Sequence, residues 1–286
     1  MVHDHIGKIL KRCEDSHKGD YGKVFILAGS YGMTGAAFLC SQGALLSGSG
    51  LVTNGIPKSL NQIMEIKLTE VMTLPLDETK NFSLSLKSKD TILDFAKKCD
   101  AVAIGPGLGN NPETYNLVKA LIKEIEQPLV LDADAINAME GDLELIKQRK
   151  FATVLTPHPG EMARLIGKTV EEVQSNRSET AKIVAELTSA VVCLKGHCTV
   201  VADSSGDTYT NETGNSGMAT GGTGDVLTGM ITSFIGQGID IFSSAVSAVY
   251  LHGAAGDIAA EKKGQFSMTA SDVLNFIPEA FDKAGI

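Results

Sequence analysis

The sequence predicts an α/β protein of three layers, in which helices cover both faces of a mostly parallel central sheet. Short, continuously apolar runs alternate with helix-length segments along most of the chain. This alternation is typical of parallel strands that are buried on both faces. No Pro- or Ser-rich linker divides the 286 residues, so we expect residues 1–286 to form a single domain.

The apolar runs define the parallel strands in chain order. They are Val24–Ala28, Ala101–Ile104, Leu129–Leu131, Thr153–Leu155 and Val191–Leu194. A helix is predicted after the first run, from Thr34 to about Ser47. In open α/β sheets ligands bind outside the carboxyl ends of the strands. The residues that follow these strands are therefore the candidate site residues.

The pattern changes after Lys195. Residues 199–202 and 207–210 flank a polar turn and predict an antiparallel hairpin. Helices are predicted from about Asp225 to Gly236 and from Asp240 to Lys262. The sheet is thus expected to be mostly, but not wholly, parallel.

Composition excludes several classes of function. A net charge of −9 argues against broad contact with nucleic acid or anionic lipid, and Trp is absent. No run reaches the roughly 18 apolar residues of a membrane span, and residues 1–5 lack the basic start of a signal peptide. The five cysteines are scattered without a C-x-x-C pair, as in reduced proteins. We expect a cytoplasmic protein without nucleic-acid or membrane partners.

The glycine-rich segment 215–225 carries the strongest chemical signal. It reads N-S-G-M-A-T-G-G-T-G-D and leads directly into an apolar helix. Glycines and a helix N-terminus together direct N–H groups at an anion, so Gly222, Thr223 and Gly224 are predicted to form an anion hole. Asp225 beside it is the candidate base for a substrate hydroxyl. Alternatively, Asp225 is an N-cap and the glycines form a tight turn.

Seven further motifs occur in a fixed order along the chain, and with the glycine-rich segment they resemble a known family. They are K-G-D-Y-G at 18–22, A-G-S at 28–30, T-G-A-A at 34–37, G-P-G-L-G at 105–109, D-A-D-A-I-N at 132–137, T-P-H-P-G-E at 156–161 and L-K-G-H-C-T at 194–199. Over roughly residues 16 to 283 the chain is similar to the ADP- or ATP-dependent NAD(P)H-hydrate dehydratases of the ribokinase superfamily. The resemblance implies a ribokinase-like fold.

The resemblance also implies a reaction. Members of the family repair the (S) epimer of hydrated NADH or NADPH: a nucleotide, with Mg²⁺, phosphorylates the ring hydroxyl, and phosphate then leaves. The compact chain looks like the type that uses ADP and releases AMP and phosphate. Some members carry an additional N-terminal epimerase domain, for which these 286 residues have no room, so a separate epimerase is expected upstream. A homo-oligomer is expected as well.

Site residues follow from the same resemblance, residue by residue. The hydrated cofactor is expected at Ala36, Ala37, Gly107, Gly109, His158 and Asp225. The nucleotide is expected at Lys195, Gly196, His197, Cys198, Thr199 and Gly224. Each group has a plainer alternative: small residues that only permit helix–sheet packing, a loop histidine bonded to backbone, and a tight turn with a solvated lysine.

Two carboxylates and four histidines remain unassigned. Asp132 and Asp134 follow a buried strand, where they would hold Mg²⁺ through water or contact the cofactor, or else only favour a helix N-terminus. No His/Cys cluster suggests zinc, so the metal ligands stay unknown. His3, His5, His17 and His252 are interpreted as surface or structural residues.

Two other functions are compatible with the glycine-rich segment. One is a superfamily kinase that phosphorylates a small alcohol, such as a hydroxymethylpyrimidine, a hydroxyethylthiazole or a sugar, and stops at the stable ester. The other is a nucleotide-binding protein without catalysis. The reaction product distinguishes all three.

Overall fold

The fold is built on one mixed sheet. The computed structural model describes residues 2–9 and 12–286. Within these residues, nine strands form a sheet of order β3-β2-β1-β4-β5-β6-β7-β8-β9. In chain order they are β1 Lys23–Leu27, β2 Leu51–Pro57, β3 Met72–Leu76, β4 Ala101–Ile104, β5 Leu129–Leu131, β6 Thr153–Leu155, β7 Val191–Leu194, β8 Val200–Ala202 and β9 Thr208–Thr210.

Helices cover both faces of this sheet, which confirms the predicted three-layer architecture. In chain order they are α1 Val2–Ile6, α2 Thr34–Leu46, α3 Asn61–Lys67, α4 Lys89–Ala96, α5 Pro112–Glu124, α6 Asp134–Ala138, α7 Glu144–Lys147, α8 Pro159–Ile166, α9 Val170–Ser175, α10 Arg177–Thr188, α11 Thr223–Gly236, α12 Ile241–Lys263 and α13 Ala270–Ala284. Short 3₁₀ turns occur at Lys18–Tyr21, Lys58–Leu60, Leu86–Ser88 and Ser216–Met218.

The predicted strands are present, and two more were not predicted. All pairings from β3 across to β7 are parallel, and the β7–β8 and β8–β9 pairs are antiparallel, as the hairpin required. Sequence patterning missed β2 because the polar residues Thr53 and Asn54 interrupt it; Asn54 is fully buried and its Nδ2 donates to the Ile26 carbonyl at 3.1 Å. It missed β3 because this strand lies at the sheet edge, half exposed and with Pro75 inside it.

The strand order reverses between β1 and β4, and this sets the location of a site. From β1 the chain proceeds to β2 and β3 on one side, whereas β4 and the later strands lie on the other side. The loops that follow β1 and β4 are joined by a hydrogen bond from the Gly29 amide to the Pro106 carbonyl (2.8 Å). A crevice at the carboxyl ends of the strands at such a switch point is the usual ligand site of open α/β sheets.

Close packing of α2 on α11 positions the glycine-rich segment. A Cβ atom on Gly43 would lie 2.6 Å from the Val226 carbonyl oxygen, and one on Gly229 would lie 2.0 Å from the Cys40 carbonyl oxygen. Side chains larger than hydrogen are therefore excluded from both positions. The start of α11 is held directly beside the first turns of α2.

No helix in the described part of the chain is both long and apolar enough to cross a membrane.

Candidate active site

A lysine and a buried aspartate meet beneath the carboxyl ends of β5 and β7. Lys195 follows β7, and its Nζ lies 2.6 Å from Oδ1 of Asp132, which follows β5. The other oxygen of Asp132 accepts a hydrogen bond from the Thr228 hydroxyl on α11 (2.8 Å). The carboxylate of Glu161 lies 4.0 Å from the same ammonium. One cation thus faces two buried carboxylates.

The lysine is not a solvated side chain, so that alternative is wrong. Its side chain is 17% exposed. Burial acts to lower the pKa of Lys195, but the attraction of Asp132 and Glu161 outweighs it and raises that pKa. Lys195 therefore stays charged at neutral pH.

Asp225 lies at the start of α11 without a partner. The N-cap of α11 is Gly222, and Asp225 is its third residue, so the alternative that Asp225 is the cap is wrong. Among the residues that the structure describes, none donates a hydrogen bond or an ion pair to its carboxylate. Burial and the nearby charge of Asp132 raise the pKa of Asp225 to about 7. A carboxylate with such a pKa is suited to accept a proton at neutral pH.

A buried histidine, His252, holds the end of the glycine-rich segment where α11 begins. Gly222 has φ +96°, a conformation that favours glycine. Thr223 and Gly224 are the first two residues of α11, whose amides have no intrahelical acceptor. The carbonyl of Thr223 accepts a hydrogen bond from Nε2 of the buried His252 (2.9 Å). Burial lowers the pKa of His252 to about 4, so the ring is neutral at physiological pH.

Residues 195–199 form a tight loop held by an arginine. Gly196 has φ +140°, and a Cβ atom there would lie 3.1 Å from Nη2 of Arg177. Arg177 donates to the carbonyl of Leu194 (2.9 Å) and to that of His197. The Thr199 hydroxyl donates to the Gly196 carbonyl at 3.0 Å. These hydrogen bonds connect the loop to Arg177 and to its own backbone.

A cavity of about 670 Å³ lies between this loop and the glycine-rich segment. Its volume is within the range of small-molecule and cofactor sites, about 300–1,000 Å³. Its lining includes every residue predicted for the nucleotide: Lys195, Gly196, His197, Cys198, Thr199 and Gly224. Thr223 and His252 also line it, whereas Gly222 does not.

Four of the six residues predicted for the hydrated cofactor lie at the switch point: Ala36, Ala37, Gly107 and Gly109. A Cβ atom on Gly107, which has φ +64°, would lie 2.9 Å from the Cβ of Ala36, so the loop after β4 touches the first turn of α2. The amide of Gly109 donates to Oδ2 of Asp134 at 2.8 Å. Ala37 differs from its neighbours because it is fully buried. Its side chain belongs to the helix–sheet packing.

His158 caps a helix. Its Nδ1 accepts hydrogen bonds from the amides of Gly160 (3.0 Å) and Glu161 (3.2 Å) at the start of α8, and Glu161 Oε2 accepts from the His158 amide (2.8 Å). His158 is therefore bonded to the backbone through Nδ1, as the plainer alternative predicted. The side chain remains 50% exposed, so part of the ring is accessible to a ligand. Burial and the charge of Lys195 lower the pKa of His158.

Asp132 and Asp134 each have partners within the protein. Asp132 is bound to Lys195 and Thr228, and Asp134 accepts from Gly109 as the first residue of α6. No group of three or more His, Cys, Asp or Glu side chains in residues 2–9 and 12–286 is arranged to hold a metal ion.

Comparison with known proteins assigns the family. The family model for NAD(P)H-hydrate dehydratases matches residues 24–279. The chain belongs to this dehydratase family. It is 46% identical over 271 residues to a bifunctional NAD(P)H-hydrate repair enzyme of Moorella thermoacetica, covering 95% of this chain but 51% of that protein. The chain thus spans about half the length of that relative.

A curated dehydratase sequence and a solved dehydratase structure, both from Bacillus subtilis, match over nearly their full length. An ADP-dependent (S)-NAD(P)H-hydrate dehydratase of Bacillus subtilis is 35% identical, with 98% of this chain and 96% of that protein covered. The crystal structure of the B. subtilis ADP/ATP-dependent NAD(P)H-hydrate dehydratase, co-crystallised with ATP and Mg²⁺, superimposes with a TM-score of 0.83 at 32% identity, covering 99% and 97% of the chains. A Thermotoga maritima ribokinase, 14% identical over 90% of this chain and all of its own, shares the fold with a TM-score of 0.54. The ribokinase-like fold is confirmed.

Sequence reasoning missed three residues of this dehydratase site. His252 was interpreted as surface or structural; the structural role is the correct one, since it holds the start of α11, but its place in the cavity lining was not predicted. Glu161 was quoted only as part of a motif, and its carboxylate faces Lys195. Arg177, which orders residues 194–197, opens an ordinary helix and carries no motif that would single it out.

Proposed function

We propose that this chain dehydrates the (S) epimer of hydrated NADH and NADPH with ADP as phosphoryl donor, releasing AMP and phosphate. The observation that carries the proposal is Asp225: a largely buried carboxylate without a partner in the described structure, its pKa raised to about 7, at a helix N-terminus beside a nucleotide-sized cavity. Membership of the dehydratase family supports the substrate class.

In the first step Asp225 takes the proton of the ring hydroxyl. The hydroxyl oxygen forms a bond to the β-phosphorus of ADP, and the bond from that phosphorus to its bridging oxygen breaks, so AMP leaves with the electron pair. Lys195, Thr223 and Gly224 line the cavity, and in our proposal the Lys195 ammonium and the amides of Gly222, Thr223 and Gly224 offset the negative charge on the transferred group. The remaining residues of the 195–199 loop bind the nucleotide.

In the second step the new phosphate ester breaks at its carbon–oxygen bond. The lone pair of the ring nitrogen drives out phosphate, and loss of a proton from the neighbouring ring carbon restores the dihydropyridine. Ala36, Gly107, Gly109 and the exposed part of the His158 ring hold the cofactor during this step in our proposal. The main chain at Ala37 completes that surface, since its side chain is buried.

Asp132 and Asp134 are each bonded to other protein groups, and the described residues include no cluster of three or more possible metal ligands. Mg²⁺ binds readily to nucleotide phosphates while keeping several waters. We therefore propose that the ion enters with the nucleotide and that no protein carboxylate holds it.

The domain organisation, the location, the oligomeric state and the partner of this enzyme are also proposals. We infer a single domain over residues 1–286, a cytoplasmic homo-oligomer, and a separate epimerase that supplies the (S) hydrate. The five scattered cysteines, without a C-x-x-C pair, support a reducing compartment. The bifunctional relatives, about twice as long as this chain, support a second repair activity that acts on the same metabolite.

The test is incubation of the protein with the hydrates of NADH and NADPH, Mg²⁺ and either ADP or ATP. Recovery of the near-ultraviolet absorbance of the reduced ring, with release of inorganic phosphate, is the expected result, and ADP should be the better donor. Accumulation of a stable phosphate ester would instead identify a kinase. Binding of nucleotide without any turnover would identify a non-catalytic protein.

A further inference from the structure

An exposed pair of aromatic side chains, Tyr31 and Phe82, lies next to the switch point, since Tyr31 is in the loop between β1 and α2. Tyr31 is 70% exposed and Phe82 is 42% exposed, although large aromatic rings usually pack inside. Their ring centroids are 5.6 Å apart with an interplanar angle of 39°. Tilted in this way, the two rings do not cover each other's faces.

The pair is held in place by the backbone. The Tyr31 amide donates to the Phe82 carbonyl at 3.2 Å. Phe82 has φ +56°, which is unfavourable for an aromatic residue. Its amide donates to the Thr79 carbonyl (3.0 Å), and Thr79 is bonded in turn to Ser83, whose hydroxyl accepts from Thr114. The structure thus maintains a strained backbone that presents an apolar ring to water.

The aromatic pair is continuous with the proposed cofactor surface. Ser30, next to Tyr31, donates its hydroxyl to the Gly107 carbonyl at 2.8 Å. Met33, itself 36% exposed, lies against Gly107, where an added Cβ would be 3.0 Å from the Met33 Cβ. The surface therefore runs from Ala36 and Gly107 outward to Tyr31 and Phe82.

The aromatic pair and the proposed reacting centre at Asp225 lie near different parts of α2. Leu39 of α2 lies beside Gly222, because a Cβ atom there would be 2.3 Å from the Leu39 Cδ1. Tyr31 precedes α2, and the five residue steps from Thr34 to Leu39 span about 7.5 Å along the helix axis. A ligand with one ring beside Asp225 needs a second, distant part to reach Tyr31. A dinucleotide has that form: two ring systems joined by a pyrophosphate.

We propose that Tyr31 and Phe82 form a stacking surface for the purine ring of the dinucleotide while the hydrated nicotinamide ring lies at Asp225. This inference rests on the proposed function. Aromatic side chains stack on bases without needing specific hydrogen bonds. The two rings contact the substrate far from the transferred phosphoryl group. Their loss should therefore raise KM for the hydrate and leave kcat unchanged.

The experiment compares hydrated NADH with the hydrate of reduced nicotinamide mononucleotide, which lacks the purine half. Tyr31→Ala should raise KM for hydrated NADH about tenfold, given the usual strength of base stacking, with kcat and KM for ADP unchanged. KM for the mononucleotide hydrate should not move. Tyr31→Phe keeps the ring and should behave as wild type. Phe151→Ala is the matched control, since Phe151 is also 42% exposed but precedes β6 at the opposite end of the sheet.

Two outcomes would overturn the inference: an unchanged KM for hydrated NADH in Tyr31→Ala, or equal rises for both hydrates. Binding of NADH, followed by its fluorescence, separates this inference from the proposed function. If wild type turns over no hydrate, the proposed function fails. Weaker NADH binding by Tyr31→Ala would then still support the stacking surface, and equal binding by the two proteins would overturn it.

Discussion

The ammonium of Lys195 lies 2.6 Å from the carboxylate of Asp132, and this ion pair joins the ends of β7 and β5 under the candidate active site. Asp132 is almost fully buried, with 1% of its side chain exposed. A lysine that faces the nucleotide cavity thus also compensates a buried charge. Its binding and structural roles are coupled.

Replacement of Lys195 by Ala should therefore destabilise the protein as well as weaken ADP binding. Removing one partner leaves the other charge buried and uncompensated, which typically costs about 3–5 kcal/mol. Urea unfolding measures the loss. The control is the double variant Lys195→Ala/Asp132→Asn, which removes the orphaned charge and should recover part of the stability. A single variant as stable as wild type would contradict the structural role of the pair.

Asp225→Asn should lower kcat by at least about two orders of magnitude, because a base contributes about 10²–10⁴-fold in rate. The affinities for hydrate and ADP should change little, since the amide has nearly the same size. Stopped-flow absorbance of the reduced ring gives kcat. Asp207→Asn, at an exposed carboxylate of the β8–β9 turn, is the control and should turn over normally. Retention of wild-type kcat in Asp225→Asn would exclude this residue as the base.

The ionisation of Asp225 should appear in two pH profiles. Activity needs the carboxylate, so kcat/KM should rise with pH and level off above about 7. The contribution of Asp225 to the stability of the folded protein should instead fall as pH rises. The folded pKa is raised from 3.8 to about 7, so the favourable contribution of the neutral acid is complete below pH 3.8 and lost as pH rises through 7. Melting curves should thus show that Asp225→Asn gains stability over wild type between these values, and a difference independent of pH would contradict the raised pKa.

Gly222→Ala should lower both stability and kcat. A residue with a Cβ at φ +96° is strained by about 1–2 kcal/mol, and the added atom would lie 2.3 Å from the Leu39 Cδ1. Gly221→Ala is a matched control in the same segment, because a Cβ there meets nothing within 4 Å. Thermal unfolding and steady-state kinetics of the pair measure the difference. Equal effects would show that the conformation of Gly222 is unimportant.

His158 offers a way to separate capping from ligand binding. His158→Ala removes both the ring and the cap of α8, and loss of a cap costs typically about 1 kcal/mol. His158→Asn restores a cap and removes only the ring. KM for the hydrate should rise in both variants, whereas the melting temperature should fall only in His158→Ala. A normal KM in His158→Asn would leave the histidine with its capping role alone.

Much of the fold follows from local patterns along the chain. Continuous apolar runs predict β1, β4, β5, β6 and β7 because strands covered on both faces need no polar residues. The same reasoning fails for β2, where Asn54 is buried and bonded to the Ile26 and Ala28 carbonyls. A polar residue satisfied by a neighbouring strand cannot be recognised before that neighbour is known.

By itself, the sequence determined the layer architecture, the dehydratase family motifs and the residues that follow the strands, because apolar periodicity and turn chemistry are local properties. Only the tertiary structure decided how those residues are paired. Lys195 meets Asp132, which is 63 positions away, and His252 meets Thr223, which is 29 positions away. Asp225 is left without a partner in the described structure and its pKa rises to about 7. Burial and charge depend on atoms from distant parts of the chain, and these come together only when the sheet and its helices are assembled.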